Sequence, residues 1–296
     1  LLGVRQSAMS HHLKVLSQAG LVETQREGNS IFYRRSLAAT TPRREWLQAV
    51  FRLVDGVPLA AETAGNLTQV RRQRAEQSLQ FFARHADDLQ LQQEKVAEYA
   101  LYAGPVAQLI AQIKRPDWRS VLEVGPGDGR FLLTLAEHFD TVIALDNSTE
   151  MLARARQRVE SEGCSSIRFI DGDTSTALAS RLRVDLIVMN MVLHHVPSPQ
   201  AMLHDCGQLL NPGGSLVLCD LSHHDQQWTR DACGDLWLGF AGSELEFWAG
   251  QCGLDADESL YLGVRNGFQV QIRQFIRTAP AGDPTVLDPA VTTHPP

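Results

Sequence analysis

The stretch Glu123-Val124-Gly125-Pro126-Gly127-Asp128-Gly129 decides how this 296-residue chain is read. The apolar run Val121–Val124 predicts a buried strand and the residues after Gly129 a helix. The glycines therefore form a strand-to-helix turn whose backbone a ligand can approach closely. Asp146 closes the next apolar run, 23 residues after Glu123, where a carboxylate can grip both ribose hydroxyls of a nucleoside. Asp171-Gly172-Asp173 ends a third run, and Asp185 opens a fourth that leads to Asn190.

Working outward, strands are expected at Val121–Val124, Val142–Leu145, Ile167–Ile170, Leu186–Met189 and Ser215–Cys219. Helical patterns alternate with them, which predicts a parallel sheet with crossover helices. Leu260–Val264 and Phe268–Ile276 flank Asn266-Gly267, so a hairpin there sets an antiparallel strand on the sheet edge. Upstream, Arg43 to Ile113 reads as mainly helical, broken near Asp55-Gly56-Val57-Pro58 and Gly104-Pro105. The Pro-, Thr- and Asp-rich stretch after Thr278 is expected to be a disordered tail.

At roughly 150 residues per domain, the length suggests two domains. A composition of 44% hydrophobic and 21% charged residues is that of a globular protein and excludes disordered, collagen-like and disulfide-scaffold classes. No apolar stretch approaches the ~18 residues of a membrane span and no signal pattern opens the chain, so a cytoplasmic location without membrane contact is expected. The five cysteines, Cys164, Cys206, Cys219, Cys233 and Cys252, form no C-x-x-C pair. Their unrelated spacings argue against a zinc ribbon, a disulfide framework or a thiol site for arsenic. The formal net charge of −7 hides an asymmetry: residues 1–44 hold seven Lys or Arg against Glu23 and Glu27. The chain opens on Leu1-Leu2-Gly3-Val4 without Met, from which we expect a longer parent polypeptide.

The basic segment has its own pattern. Ser7 and Gly20 are the expected N-cap and C-cap of a short amphipathic helix. Two β-prone runs, Leu21–Arg26 and Ser30–Arg35, follow and are joined through Glu27-Gly28-Asn29. Helix, glycine and basic hairpin together make the sequence pattern of a winged helix.

Glu123 and Asp128 at the glycine turn repel a phosphate-bearing dinucleotide and tolerate a cationic sulfonium, which favours S-adenosylmethionine over NAD. Residues 119–277 resemble a class I S-adenosylmethionine-dependent methyltransferase domain. The likeness rests on the Glu-x-Gly-x-Gly-x-Gly turn, Asp146, Gly172-Asp173, Asn190-Met191-Val192-Leu193-His194-His195 and Leu210-Asn211-Pro212-Gly213-Gly214. The resemblance implies that Gly125 and Gly127 line the methionine part of S-adenosylmethionine or S-adenosylhomocysteine. It further implies that Asp146 holds the ribose, Asp173 faces the adenine amine and Asn190 flanks the sulfonium. Glu123, Gly129, Asn147, Gly172 and Thr174 complete the implied cofactor site. His194-His195 and His223-His224-Asp225 have chemistry suited to metal or acid–base roles. We read the first pair as structural groups at a strand end, and His223 and His224 as loop residues near the pocket mouth. No metal site and no catalytic residue is assigned.

Residues 1–45 resemble the C-terminal half of an ArsR/SmtB-type winged helix-turn-helix. The match runs through Arg5–Leu16, Ala19-Gly20-Leu21-Val22, Arg26-Glu27-Gly28-Asn29 and Ile31-Phe32-Tyr33-Arg34. In such motifs the second helix enters the major groove of double-stranded DNA. That makes Gln6, Ser7, Ser10 and His11 candidate base or phosphate contacts, Lys14 a phosphate contact, and Arg26 and Arg34 wing contacts. His12 and Leu13 are expected to pack inward. The family often senses metals on the helix after the wing, but no His lies between His12 and His85 and no Cys precedes Cys164, which disfavours metal sensing here.

The expected fold class is α/β, a Rossmann-like methyltransferase domain with a mostly parallel seven-stranded sheet, preceded by a partial winged helix-turn-helix and a helical connector. The expected boundaries are 1–60 for the DNA-binding part, 61–115 for the connector, 116–278 for the methyltransferase domain and 279–296 for the tail. The arrangement resembles homodimeric regulators of methionine-cycle genes that respond to S-adenosylhomocysteine, with the C-terminal domain as sensor of a small-molecule effector. The alternative is a working methyltransferase on a small-molecule substrate. A DNA or protein methyltransferase is a third reading, and the acidic C-terminal part argues against DNA there. An open cavity beside Asn190, His194 and Trp237 is the mark of the enzyme, and a closed one of the sensor.

Overall fold

The computed structural model describes residues 2–27, 30–36, 41–85, 89–264 and 266–278. The first element is helix α1 (Gln6–Gln18), which begins one residue before the expected cap. Arg5 is the N-cap residue, its carbonyl already accepting the Met9 N–H at 3.1 Å, so Ser7 falls inside the first turn. The far end is as read: Gly20 adopts φ +70°, its N–H donates to the Ser17 carbonyl and the Leu21 N–H to that of Leu16. No residue of α1 is buried, which corrects the inward packing expected for His12 and Leu13. The helix rests chiefly on the hairpin that follows it and leaves both side chains at least partly in solvent.

Strands β1 (Val22–Glu27) and β2 (Ser30–Arg35) pair antiparallel with Glu23 opposite Arg34. The expected turn residues Gly28 and Asn29, like the tail from Ala279, lie outside the described residues. Helices α2 (Thr41–Asp55), α3 (Ala61–His85), α4 (Leu89–Val96) and α5 (Tyr99–Ile113) come next. The break after Asp55 is where the sequence put it. The one at Gly104-Pro105 is absent, because α5 runs straight through Pro105. Proline in a helix interior costs about 3 kcal/mol, and the burial of Val106 and Ile110 against the sheet offsets it.

The remaining chain alternates strand and helix: β3 (Ser120–Val124), α6 (Arg130–Ala136), β4 (Thr141–Asp146), α7 (Thr149–Ser161), β5 (Ile167–Asp171), α8 (Thr174–Ala179) and β6 (Val184–Asn190). After a 3₁₀ turn (Leu193–His195) come α9 (Pro199–Leu209), β7 (Leu210–Leu221), α10 (Trp228–Cys233), α11 (Gly242–Gln251), β8 (Leu254–Gly263) and β9 (Gln269–Arg277). The seven strands stand in the order β5-β4-β3-β6-β7-β9-β8. Only β9 runs against the others, and it is inserted between β7 and β8 rather than at the edge expected for it. The Asn266-Gly267 hairpin is present, with φ +90° at Gly267.

Side chains of β3 alternate between two cores, Val121 toward α5, α6 and α7, and Leu122 toward α9. The order reverses between β4 and β6 on either side of β3, and this switch point opens a crevice at the carboxyl ends of the strands. Asp185, near the start of β6, lies at the opposite end. It accepts the backbone N–H groups of Arg119 and Ser120 and the side chains of Ser120 and Asn211, stitching β3 to β6 and β7. No helix among the described residues is long and apolar enough to cross a membrane. Asp185→Ala strips acceptors from these donors, so denaturant unfolding should show a loss of about 1–3 kcal/mol, with ligand affinity at the far end of the sheet unchanged.

Candidate functional site

The crevice is a cavity of about 560 Å³. Nine of the ten expected cofactor residues line it: Glu123, Gly125, Gly127, Asp146, Asn147, Gly172, Asp173, Thr174 and Asn190. Gly129 does not. It caps α6 at φ +83° and brings the turn against α7, where a Cβ would lie 2.9 Å from the Ala155 backbone. Gly127, at φ +59°, faces open space, so its missing side chain leaves room for a ligand.

The acids of the cavity differ in how they are held. Glu123 is 1% exposed; its Oε1 accepts the Asn190 amide at 3.3 Å, while Oε2 and the Asn190 Oδ1 are buried without partners. Burial pushes the Glu123 carboxyl up to about 8, the Asn190 bond opposing and Asp128 adding to the rise. Asp146 is fixed by the Ser148 N–H at 2.9 Å and raised to about 6, chiefly by burial. Asp173 caps α8, its Oδ1 accepting the Thr176 N–H and the Ser175 hydroxyl. Asp128 is bracketed by Arg130 at 3.0 Å and Arg158 at 3.2 Å. Its charge is compensated, and the raised Glu123 carboxyl keeps its proton at neutral pH, so neither supplies the repulsion of diphosphate expected from the pair.

Several lining residues escaped the sequence reading. Tyr99 and Tyr102 of α5 form one wall, with the Arg130 guanidinium 4.1 Å from the centre of the Tyr99 ring. Asp205 accepts the Thr174 hydroxyl at 2.6 Å. Helix α3, read as a connector, contributes Thr68, Arg71, Arg72, Ala75, Ser78 and Phe82 to the cavity. The spacing of Ala75, Ser78 and Phe82 is helical, a signal that could have marked this face as covering something.

Beyond Asn190 the cavity reaches His195, whereas His194 and Trp237 stand behind its wall, so of the three residues named for an acceptor cavity only Asn190 borders it. Asp220, fully buried at the end of β7, accepts the Leu193 N–H and lies 2.7 Å from His194 Nδ1. Burial opposes a charge on His194, but Asp220 and Asp235 outweigh it and raise the ring to about 9; burial and His194 keep its neighbour His195 well below the usual range. Donor atoms of His194, His195 and Asp235 lie within 4.8 Å of one another. His223 and His224 are not at the pocket mouth. The isolated bridge Ser222–Phe240 draws them in, His223 onto the Leu238 carbonyl and His224 onto the Phe268 ring. None of the five cysteines, all free, lines the cavity.

At the other end of the chain, Gln6, Ser7, Ser10, His11 and Lys14 are all exposed on α1. Arg34 is held by Glu23 at 3.3 Å and by Glu244 of α11 at 3.8 Å. Arg26 pairs with Ile31 in the hairpin, and its side chain lies outside what is described. Arg35, not singled out in sequence, forms a two-pronged pair with Asp55 and covers Phe51.

Among solved structures, one described as a candidate methyltransferase of Bacillus halodurans superposes with a TM-score of 0.52 at 14% identity, covering 60% of this chain and 100% of its own. The C-terminal part of the chain has the class I methyltransferase fold. Residues 121–214 match the family model for a methyltransferase domain, and residues 1–24 that of the bacterial regulatory protein, arsR family. The N-methyltransferase NodS of Bradyrhizobium japonicum, solved with S-adenosyl-L-homocysteine, shares the methyltransferase fold with a TM-score of 0.50 at 18% identity, over 64% of this chain and 99% of its own. By sequence, the methyltransferase domain is 36% identical over 112 residues to the tRNA 5-carboxymethoxyuridine methyltransferase of Escherichia coli, 37% of this chain and 42% of that protein. It is 29% identical over 117 residues to the ubiquinone biosynthesis O-methyltransferase of Salmonella arizonae, 39% and 48% of the two chains. The chain thus spans less than half the length of these relatives.

Glu123 gives the site a measurable signature. The folded protein holds a proton at about 8 that the unfolded chain releases near 4.5, so the carboxyl lowers stability as pH rises through that window. Glu123→Gln should flatten this decline and gain on the order of a few kcal/mol over the parent at pH 8 but little at pH 4. Chemical denaturation of both proteins across pH 4–8 measures the difference.

Proposed function

We propose that this chain is a DNA-binding transcriptional regulator of ArsR type, cytoplasmic and homodimeric, whose methyltransferase domain binds S-adenosylmethionine or S-adenosylhomocysteine as effector. The observation that carries this reading is the cover of the cavity. Helix α3 roofs the cavity and is joined by residues 56–60 to α2, which is itself locked to the hairpin through Arg35 and Asp55. An occupant that favours one position of α3 over another can therefore bias the presentation of α1, and only such a difference in affinity produces regulation. We take the functional units to be residues 1–60, 61–115 and 116–278.

The residues present suit this ligand. The open face at Gly127 and the unpartnered oxygens of Glu123 and Asn190 ask for a group that carries donors and positive charge. In this reading Gly125, Gly127 and Glu123 border the methionine part, Asp146 and Asn147 the ribose, Gly172, Asp173 and Thr174 the adenine, and Asn190 the sulfur. S-adenosylmethionine carries an activated methyl group on that sulfur. Gln6, Ser7, Ser10, His11, Lys14, Arg26 and Arg34 are assigned to double-stranded DNA.

A second reading, a working methyltransferase on a small molecule, is favoured by one observation: the cavity continues past Asn190 to His195 and Phe82. Calorimetric titration of both ligands separates the two. The sensor predicts that S-adenosylhomocysteine binds at least tenfold more tightly, about 1.4 kcal/mol, with binding lost in Asp146→Ala. Equal affinities favour the enzyme, and no binding to the folded protein rejects both readings.

A further inference from the structure

Behind the cavity wall, three elements meet at one small buried cluster. The 3₁₀ turn supplies His194 and His195, the end of β7 supplies Asp220, and the segment after α10 supplies Asp235. Asp235 is 3% exposed, yet neither of its carboxylate oxygens has a hydrogen-bond partner. The neighbouring Thr229 hydroxyl pulls against the burial that raises the Asp235 carboxyl, but it also donates to the Gln226 carbonyl at 3.1 Å. Burial of such a carboxylate is costly, and His194, 3.7 Å away, offsets the cost only in part.

The spacing of the cluster suggests what compensates it. Asp235 Oδ1 lies 3.7 Å from His194 Nε2 and 3.6 Å from His195 Nδ1. Both separations are too long for hydrogen bonds. They are near the separation of donors that share one tetrahedral ion, about 3.4 Å for bonds of 2.0–2.1 Å. On the far side of its ring, His194 Nδ1 meets Asp220 at 2.7 Å, the arrangement in which a carboxylate fixes the tautomer of a metal-bound imidazole. Charge gives an independent argument. A charge on His194 balances one of the two carboxylates, Asp220 and Asp235, whereas a divalent ion held by neutral imidazoles balances both.

We propose that His194 Nε2, His195 Nδ1 and Asp235 form a binding site for a divalent transition-metal ion of the Zn²⁺ type, oriented by Asp220. The Gly234 carbonyl, 3.3 Å from His195 Nδ1, holds the ring when no ion does. Coordination through Nδ1 leaves the proton on Nε2, which is buried without a partner in a residue that lines the cavity. The ion thereby ties the 3₁₀ turn to the 234–238 segment and turns His195 into a fixed hydrogen-bond donor toward whatever the cavity holds.

The test needs no knowledge of the effector. The full chain, with the half-exposed thiols Cys164 and Cys252 replaced by Ser to remove competing ligands, is stripped with chelator and titrated with Co²⁺ and then Zn²⁺. The proposal expects one equivalent of Co²⁺ with the visible absorption of a tetrahedral nitrogen and oxygen site and no thiolate band. Zn²⁺ should displace the Co²⁺ and raise the melting temperature by at least 5 °C. Asp235→Asn and His194→Gln should each weaken binding at least a hundredfold; two variants at separate elements are used so that one failing to fold does not end the test. Absence of a bound equivalent, or binding that is unchanged in a folded Asp235→Asn or His194→Gln protein, overturns it.

Discussion

A carboxylate sealed inside a protein needs a partner, and at the carboxyl end of β3 Glu123 has only half of one. The Asn190 amide reaches one of its oxygens and nothing reaches the other. The local fold enforces this. β3 is buried on both faces, so the last side chains of the strand cannot turn outward, and the positive φ at Gly125 and Gly127 carries the backbone away before it can supply donors. The cavity follows from this arrangement. Parallel strands on either side end at the same level, Asp146 on one side and Asn190 on the other, and their side chains face a space that no helix of the sheet's own layers fills.

That space is closed from outside the α/β unit. Helix α3 arrives from the N-terminal side of the chain and sets Ser78 against the His195 carbonyl and Phe82 edge-on to the His195 ring. Its predecessor α2 buries Leu47 and Phe51, and the pocket between α2 and α11 is lined from both sides. The basic hairpin is drawn into the same assembly through Arg35 with Asp55 and Arg34 with Glu244. Exposed ion pairs of this kind contribute little to stability, about 0–1 kcal/mol each, so their consequence is positional. Arg35 with Asp55 holds the hairpin to α2 and Arg34 with Glu244 holds it to α11, neither making its contact hard to break.

The sheet was legible because its signal is local. Short apolar runs, several closed by glycine or an acid, alternate with helical patterns, and each expected strand overlaps an observed one. The glycine turn marked the edge that carries the cavity for the same reason. What the sequence hid was tertiary. Pro105 reads as a breaker until Val106 and Ile110 are seen buried beside it. Gly129 belongs to the motif by spacing but to the α6–α7 packing by contact. The roof was invisible because α3 is rich in Gln and Arg and reads as a solvated connector. The Asp220 and Asp235 partners of the histidines lie 26 and 41 residues beyond His194, a distance at which no sequence pattern operates.

The two ligands considered for the cavity differ by a methyl group and a positive charge, and the cavity is not symmetric in charge. Its floor carries Asp146 and the raised Glu123 carboxyl together with Arg130 and Arg154, while α3 contributes Arg71 and Arg72 to the roof, the latter paired with Glu76 at 2.8 Å. In the proposed reading, a sulfonium is drawn to the floor and disfavours approach of the roof, whereas a neutral thioether leaves α3 free to settle on it. Coulombic differences of this size, about 1 kcal/mol at 4 Å in water and several times that where solvent is excluded, suffice to shift a balanced pair of states. In that reading the two ligands are told apart by charge rather than by shape, since a sulfonium is attracted to Asp146 on the floor and repelled by Arg71 on the roof.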